Sequence, residues 1–237
     1  MTLKERIEFQ EIYGNDLDKR GNELLGIEDE NERDISTSEH FFESCCKLFA
    51  FTHKVELSAA LKVSLKEIIE EVSPLVSPIP REPEGWYIEE FEVTPLSRFT
   101  FNEFLVSKEA GRQYEAMGKS VWSFLPVVCA VFLRKDEQER FEESFLMDNS
   151  DRMNEVLNLD IAEALWVNEW FNNFNQYILD SFSVFKKGRS KGINMEEVFK
   201  AWGWVSFLSM VAKEGVFTVQ GSNKNAIDCA KEAKLYD

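Results

Sequence analysis

The chain has 237 residues and a formal net charge of −16, from 27 lysines and arginines against 43 aspartates and glutamates. Because contacts with phosphate groups need a basic surface, this charge argues against direct binding to nucleic acid and against docking on an anionic membrane. A chain of this length and ordinary apolar content can bury one substantial core, or one core and a small satellite.

The cysteines and the apolar runs indicate the compartment. Cys45, Cys46, Cys129 and Cys229 are too few for a disulfide framework in a chain of this length, which favours a reducing cytosol. The start, MTLKERIEFQ, lacks the apolar segment of a signal peptide, and the apolar run 121–133 is too short to span a bilayer. We therefore expect a soluble protein without a membrane partner.

Acidic residues are concentrated at the start of the chain. Residues 1–43 hold five lysines and arginines against thirteen aspartates and glutamates, and they include the run IEDENERD. We predict an acidic N-terminal arm over residues 1–39, either solvated or folded as a loosely packed helix. An alternative role for this arm is to dock on a basic partner, or to cover an adhesive surface until that partner binds.

A first helical group is predicted over residues 40–72, where apolar side chains recur at intervals of three and four. Five of the six prolines lie between residues 73 and 96, which predicts a proline-rich linker. Within it, WYIEEFEV is expected to form a short strand or an extended peptide packed on a neighbour. An arm that reaches onto an adjacent subunit is the alternative.

Residues 97–237 are predicted to form the main helical domain. Thr100-x-x-Glu103 is a capping box that begins a helix, and the apolar run 121–133 predicts a buried helix. Residues 199–211 carry another clear apolar face. Together these patterns predict a mainly α fold, an irregular multi-helix bundle with a proline-rich extended segment.

The long aromatic helix predicted over residues 160–185 dominates this domain. Trp166, Trp170 and Tyr177 form a row beside its regular apolar face, and we assign them as a candidate partner-binding surface. The pattern fits a core helix alone, and it also fits a core helix that carries such a surface. The regular face, assigned to the core, consists of Ile161, Leu165, Phe171, Phe174, Ile178, Phe182 and Phe185.

Signatures of catalysis are missing from the sequence. It contains no arguable Ser–His–Asp or Cys–His arrangement, no Gly-rich dinucleotide turn and no metal-ligand cluster. His40 and His53 are the only histidines, and neither lies near paired cysteines. We therefore expect no catalytic, cofactor-binding or metal-binding residues, and a protein that is not an enzyme.

Four segments in a fixed order carry a family resemblance. They are TFNEF, then WSFLPVVCAVFLR followed by an acidic segment, then LDIAEALWVNEWFNNF, and then FKAWGWVSFLSMVA after a basic loop. Over roughly residues 94–213 this order resembles tail assembly chaperone-like proteins of tailed bacteriophages. The resemblance implies binding to the long tape measure protein during tail assembly in the host cytoplasm. It carries over no catalytic residues, and it leaves a homo-oligomer open.

Two alternative functions follow from the same sequence. The chain could be a structural component retained in the virion, such as a connector ring, an adaptor or a packaged cargo protein. It could instead be an adaptor or inhibitor of a host protein, with the acidic arm as a mimic of nucleic acid. All three hypotheses act through protein–protein contacts.

Overall fold

A computed structural model describes residues 1–147, 149–181 and 226–233. The described part is mainly helical, as predicted from the periodicity, with one small three-stranded sheet. The chain divides into two compact units. Unit 1 consists of Met1–Arg81 and Asp160–Ala162, and unit 2 consists of Glu82–Leu159 and Glu163–Asp237.

Unit 1 is built from helices α1 (Leu3–Leu25), α2 (Glu30–His53), α3 (Leu57–Ala60) and α4 (Leu65–Val76). The apolar sides of these helices meet in one core. Its buried residues are Phe9, Cys45, Cys46, Leu48, Phe49, Ala50, Ala60, Ile68 and Val72.

Helices α1 and α2 form an antiparallel hairpin. The rings of Phe9 and Phe51 lie 5.6 Å apart at one end. Further along, Nη1 of Arg20 donates to Oε2 of Glu43 at 2.8 Å. Because the residue number rises in α1 as it falls in α2, the turn at residues 26–29 is the tip of the hairpin.

Residues 160–162 join unit 1 through hydrogen bonds to both ends of its main segment. The amide of Ile161 donates to the carbonyl of Met1 at 3.2 Å, and the amide of Arg81 donates to the carbonyl of Ala162 at 3.0 Å. Oδ1 of Asp160 accepts from the Ala162 amide at 3.0 Å, so Asp160 caps the following helix.

The predicted acidic arm is not a separate segment but part of the packed helices of unit 1. Residues 1–39 form α1 and the first part of α2, and Leu3 and Phe9 are buried. The predicted boundary between residues 39 and 40 falls inside α2. The many carboxylates lie on exposed faces and obscure a narrow apolar stripe that is sufficient to pack this helix.

The sheet belongs to unit 2 and consists of β1 (Tyr87–Ile88), β2 (Phe91–Val93) and β3 (Leu133–Arg134), in the order β1-β2-β3. Both pairings are antiparallel. The segment WYIEEFEV therefore forms a hairpin rather than a single strand. Alternation along β2 buries Phe91 and Val93 on one face.

The helices of unit 2 begin at the predicted signals. The capping box is present, with Thr100 and Glu103 each accepting from the backbone of the other, and the apolar run forms a helix that is buried from Leu125 onward. The helices are α5 (Phe101–Ala116), α6 (Val121–Phe132), α7 (Asp151–Leu157), α8 (Ile161–Ser181, of which the first two residues are counted with unit 1) and α9 (Ala226–Glu232).

Several predictions lie outside the described residues. These are the apolar face at residues 199–211, the basic loop before it, and the core positions Phe182 and Phe185, together with the side chain of Ile178. Within the described residues, no helix combines the length and the apolar character needed to cross a membrane.

Candidate functional site: an aromatic surface on unit 2

One face of α8 is buried, as predicted for its regular apolar positions. Phe171 and Phe174 are 3% and 4% exposed, and the ring of Phe171 stacks on Phe132 with centroids 4.9 Å apart. Ala164 and Val167 share this buried face, whereas Leu165 is half-buried. Ala164 is fully buried at a position that aromatic spacing does not predict.

The second row of α8 meets one further tryptophan. Trp166 and Trp170 are half-buried, and each meets Trp86 edge-on, with ring centroids 5.6 Å and 6.4 Å apart. Tyr177, two turns beyond Trp170, is 50% exposed. We call Trp86, Trp166 and Trp170 the aromatic surface.

Trp170 connects the aromatic surface to the core of unit 2. Its ring lies 5.6 Å from that of Phe132 and 6.0 Å from that of Phe174, and it meets Phe99 at 6.5 Å. Phe99 and Phe132 are fully buried and stack on each other at 4.7 Å. Trp170 therefore has a packing role of its own, and Trp86 is the most exposed member of the aromatic surface.

The backbone of Trp86 adopts an unusual conformation. Its φ is 69°, directly after Gly85 at 63° and before the first residue of β1. Holding a bulky residue in the left-handed region costs about 1–3 kcal/mol, so surrounding contacts must stabilise it. The rings of Trp166 and Trp170 provide them. The Trp86 indole thus contacts two tryptophan rings and remains 47% exposed.

The sequence does not mark Trp86 as a site residue, because it lies in the predicted linker. The sequence gives one local signal: a glycine precedes the Trp-Tyr pair, and glycine often marks a turn with positive φ. The contact with α8 joins residues eighty positions apart, and no local pattern encodes it.

The border of the aromatic surface is acidic. Glu163 and Glu169 lie three positions from Trp166 on α8, and Glu84 lies two residues before Trp86. Tryptophan presents a large apolar area at low cost in side-chain entropy and is common at the centre of protein interfaces. The arrangement fits an apolar stripe flanked by lysine or arginine.

A second candidate is a polar cavity of about 710 Å³ in unit 2. Its wall includes a buried ion pair between Arg134 and Glu103. The Glu103 carboxylate also accepts from the amide and hydroxyl of Thr100, at 2.6 and 2.7 Å. Burial lowers the pKa of the Arg134 guanidinium, and the Glu103 carboxylate opposes that shift. Because three donors hold this carboxylate, it is poorly suited to exchange protons with a substrate.

Arg152 packs on the face of the sheet opposite to the Arg134 side chain. Its guanidinium lies 4.9 Å from the ring centre of Phe91 and 4.8 Å from that of Phe145, and it forms an ion pair with Glu139. Its Nη1 donates to the carbonyl of Leu133 at 2.9 Å. Among the described residues, no group of three or more His, Cys, Asp or Glu side chains is placed to hold a metal ion. The ion pairs of Arg134 with Glu103 and of Arg152 with Glu139 favour a structural role for the two glutamates, which line the cavity.

Comparison of the chain with protein-family models, with curated protein sequences and with solved structures finds no match. Of the four segments, TFNEF begins α5, WSFLPVVCAVFLR forms α6 and β3, and LDIAEALWVNEWFNNF leads into α8. The fourth, FKAWGWVSFLSMVA, lies outside the described residues.

Proposed function

We propose that the protein is a non-enzymatic tail assembly chaperone of a tailed bacteriophage, which binds the long helical tape measure protein through the aromatic surface. The supporting observation is that Trp86 stays half-exposed while Trp166 and Trp170 hold its ring edge-on. The resemblance supports the phage assignment, and the exposed indole of Trp86 supports the aromatic surface as the place of binding.

A helix in a groove is the recognition mode that suits these partners. A tape measure protein is long and helical, and its exposed apolar stripes need cover before the tail forms. Trp86 can fill the spaces between apolar side chains at positions i, i+3 and i+4 of such a stripe. The acidic border, with the exposed Glu84 and Glu169, selects a helix whose stripe is flanked by basic residues.

The net charge of −16 supports the same function. A complex that carries a large charge of one sign repels its own copies and resists aggregation. Binding therefore covers the apolar stripes, and the chaperone adds the repulsion that keeps a long helical client dispersed.

Coexpression with the tape measure protein of the same genome tests the proposal. The fraction of tape measure protein in the cleared lysate is expected to rise with the wild-type chain and to fall again with Trp86→Asn. Met117→Asn is the matched control, because Met117 is a similarly exposed apolar residue outside the aromatic surface. If the wild-type chain leaves the fraction of soluble tape measure protein unchanged, the proposed chaperone role is wrong.

Mass spectrometry of purified virions separates the chaperone from the structural alternative. The chaperone role predicts that the chain is absent from mature particles, since it leaves when the tail polymerises. Stoichiometric presence would favour a connector, an adaptor or a packaged cargo protein.

A further inference from the structure

Arg152 illustrates how this chain holds a cation between aromatic rings. Its guanidinium lies 4.9 Å from the ring centre of Phe91 and 4.8 Å from that of Phe145. The ion pair with Glu139 adds a carboxylate to the two rings. Two aromatic rings and a glutamate therefore form one site for a guanidinium in unit 2.

The aromatic surface has rings in a comparable arrangement. Trp86 stands at 79° to Trp166 and at 85° to Trp170, so the faces of these rings meet nearly at right angles. We call the space between the rings of Trp86 and Trp166 the tryptophan corner. The face of an indole attracts a cation within about 6 Å of its centre, more strongly than the ring of tyrosine or phenylalanine does.

The tryptophan corner receives no cation from the described part of the chain. No lysine or arginine described in the structure lies over Trp86, Trp166 or Trp170. Since the Trp86 ring is half-exposed, a cation of another molecule can reach it.

Carboxylates occur on both elements that form the tryptophan corner, and cations do not. Residues 82–90 contain four glutamates and no lysine or arginine, and α8 contains no lysine or arginine from residue 161 to residue 181. Glu84, Glu89 and Glu169 are exposed and form no ion pair with any residue that the structure describes.

Cations on the neighbouring elements are held by other glutamates. Lys135, at the end of β3, pairs with Glu155 and lies 3.8 Å from Glu90. Arg98 pairs with Glu92 of β2. The exposed carboxylates beside the tryptophan corner thus remain available to a cation of a partner.

We propose that the tryptophan corner binds an arginine side chain of the helical partner, an inference that rests on the proposed function and names the side chain recognised there. A guanidinium is planar and weakly hydrated, so it lies flat on one indole while the N–H groups in its plane donate to a carboxylate of the acidic border. A lysine ammonium is more strongly hydrated and loses more water on contact with a ring. Trp170 contributes less than Trp166, because its ring already contacts Phe132 and Phe174.

Calorimetric titration of the full chain with two synthetic helical peptides tests the proposal. Both peptides have the same apolar side chains at positions i, i+3, i+4 and i+7, flanked by arginine in one and by citrulline in the other. Citrulline has nearly the shape of arginine without its charge. The arginine peptide is expected to bind about tenfold more tightly than the citrulline peptide, with a lysine peptide between them.

Salt and one substitution distinguish contact with the rings from general attraction between charges. The arginine preference is expected to persist at high salt, where exposed charges are screened beyond about 3 Å. Trp166→Leu keeps an apolar side chain but removes one ring, and it is expected to reduce the preference to about twofold. Trp122→Leu, at a half-buried tryptophan of α6 outside the aromatic surface, is the matched control and is expected to keep the tenfold preference. Circular dichroism checks that both variants keep the fold.

The possible results separate this proposal from the chaperone role. Equal affinities for the arginine and citrulline peptides would overturn the arginine site and leave the aromatic surface as an apolar groove. A preference that disappears at high salt, a lysine peptide that binds as tightly as the arginine peptide, or a tenfold preference in Trp166→Leu would also overturn it. If neither peptide binds, the arginine site and the aromatic surface as a binding place are both wrong. An arginine preference without any gain in soluble tape measure protein would keep the arginine site and overturn the chaperone role.

Discussion

Trp86 meets Trp166 edge-on, with ring centroids 5.6 Å apart and an interplanar angle of 79°. This contact joins the turn before β1 to α8, and it stabilises the left-handed backbone of Trp86 at φ 69°. The orientation of the exposed indole is therefore fixed before any partner binds. A preformed apolar contact loses less entropy on binding than a mobile one.

Trp170 and Trp86 are expected to differ in their effects on stability. Trp170→Ala removes contacts with Phe132 and Phe174 and is expected to lower the free energy of unfolding of unit 2 by about 3 kcal/mol. Trp86→Asn is expected to cost about 1 kcal/mol or less, because asparagine tolerates positive φ. Urea unfolding followed by tryptophan fluorescence measures unit 2, since every tryptophan lies at or after residue 86. Equal losses in the two variants would contradict this difference.

The stability of unit 2 is expected to depend strongly on the charges of its buried ion pair, Glu103 and Arg134. Glu103→Gln leaves the guanidinium of Arg134 buried without its counter-charge and is expected to cost about 3–5 kcal/mol. Adding Arg134→Met to Glu103→Gln is expected to cost less than Glu103→Gln alone, because the double variant has no unpaired buried charge and the glutamine oxygen can still accept from Thr100. If the double variant unfolds at lower urea than Glu103→Gln, the pair stabilises the fold beyond mutual neutralisation.

Low pH is expected to lower the free energy of unfolding of unit 1, because Glu43 becomes protonated. The hydrogen bond from Lys47, with help from Arg20, holds the pKa of the Glu43 carboxyl below its ordinary value of 4.5. A lowered folded-state pKa adds stability above the ordinary pKa, and that stability is lost as the pH falls through the folded pKa. Because Glu43 is partly exposed, the effect is expected to be about 1 kcal/mol or less.

Far-UV circular dichroism of Glu43→Gln tests this expectation. The variant is expected to unfold at lower urea than the wild type at neutral pH, and the difference is expected to disappear in acid. Glu8→Gln, on the exposed side of α1, is the control with no such difference. If the difference in urea stability between Glu43→Gln and the wild type grows in acid, the expected direction of the pH dependence is wrong.

The thiols are expected to differ in reactivity. Burial raises the pKa of Cys129 to about 12 and that of Cys45 to about 11, and Cys46 is buried beside it. Since the thiolate is the reactive form, iodoacetamide at mildly alkaline pH is expected to spare all three in the native protein. Cys229 is half-buried and is expected to react first. Peptide mass spectrometry reads each site, and rapid native labelling of Cys129 would contradict its burial.

The elements that sequence predicts well are those with a local cause. The apolar run gives α6, the Thr100–Glu103 box begins α5, and three-and-four spacing places Phe171 and Phe174 in the core. Each of these depends on neighbours within a few turns. The mainly helical fold follows from the same local periodicity.

The features that sequence does not predict depend on distant residues. Arg134 lies in a run of charged residues that resembles a surface segment, yet Glu103, thirty-one positions earlier, allows it to be 2% exposed. Phe9 is buried within an acidic stretch because it packs against the Phe51 ring of α2. Trp86 becomes part of a surface only because α8 supplies Trp166 and Trp170.

The most direct measurement is a calorimetric titration of the full chain with a purified apolar helical segment of the tape measure protein. Trp86→Asn is expected to weaken binding about 30-fold, as for a tryptophan at the centre of an interface, while its unfolding curve stays close to that of the wild type. Met117→Asn is expected to bind like the wild type. Equal affinities for the wild type and Trp86→Asn would contradict the claim that the aromatic surface binds the tape measure protein.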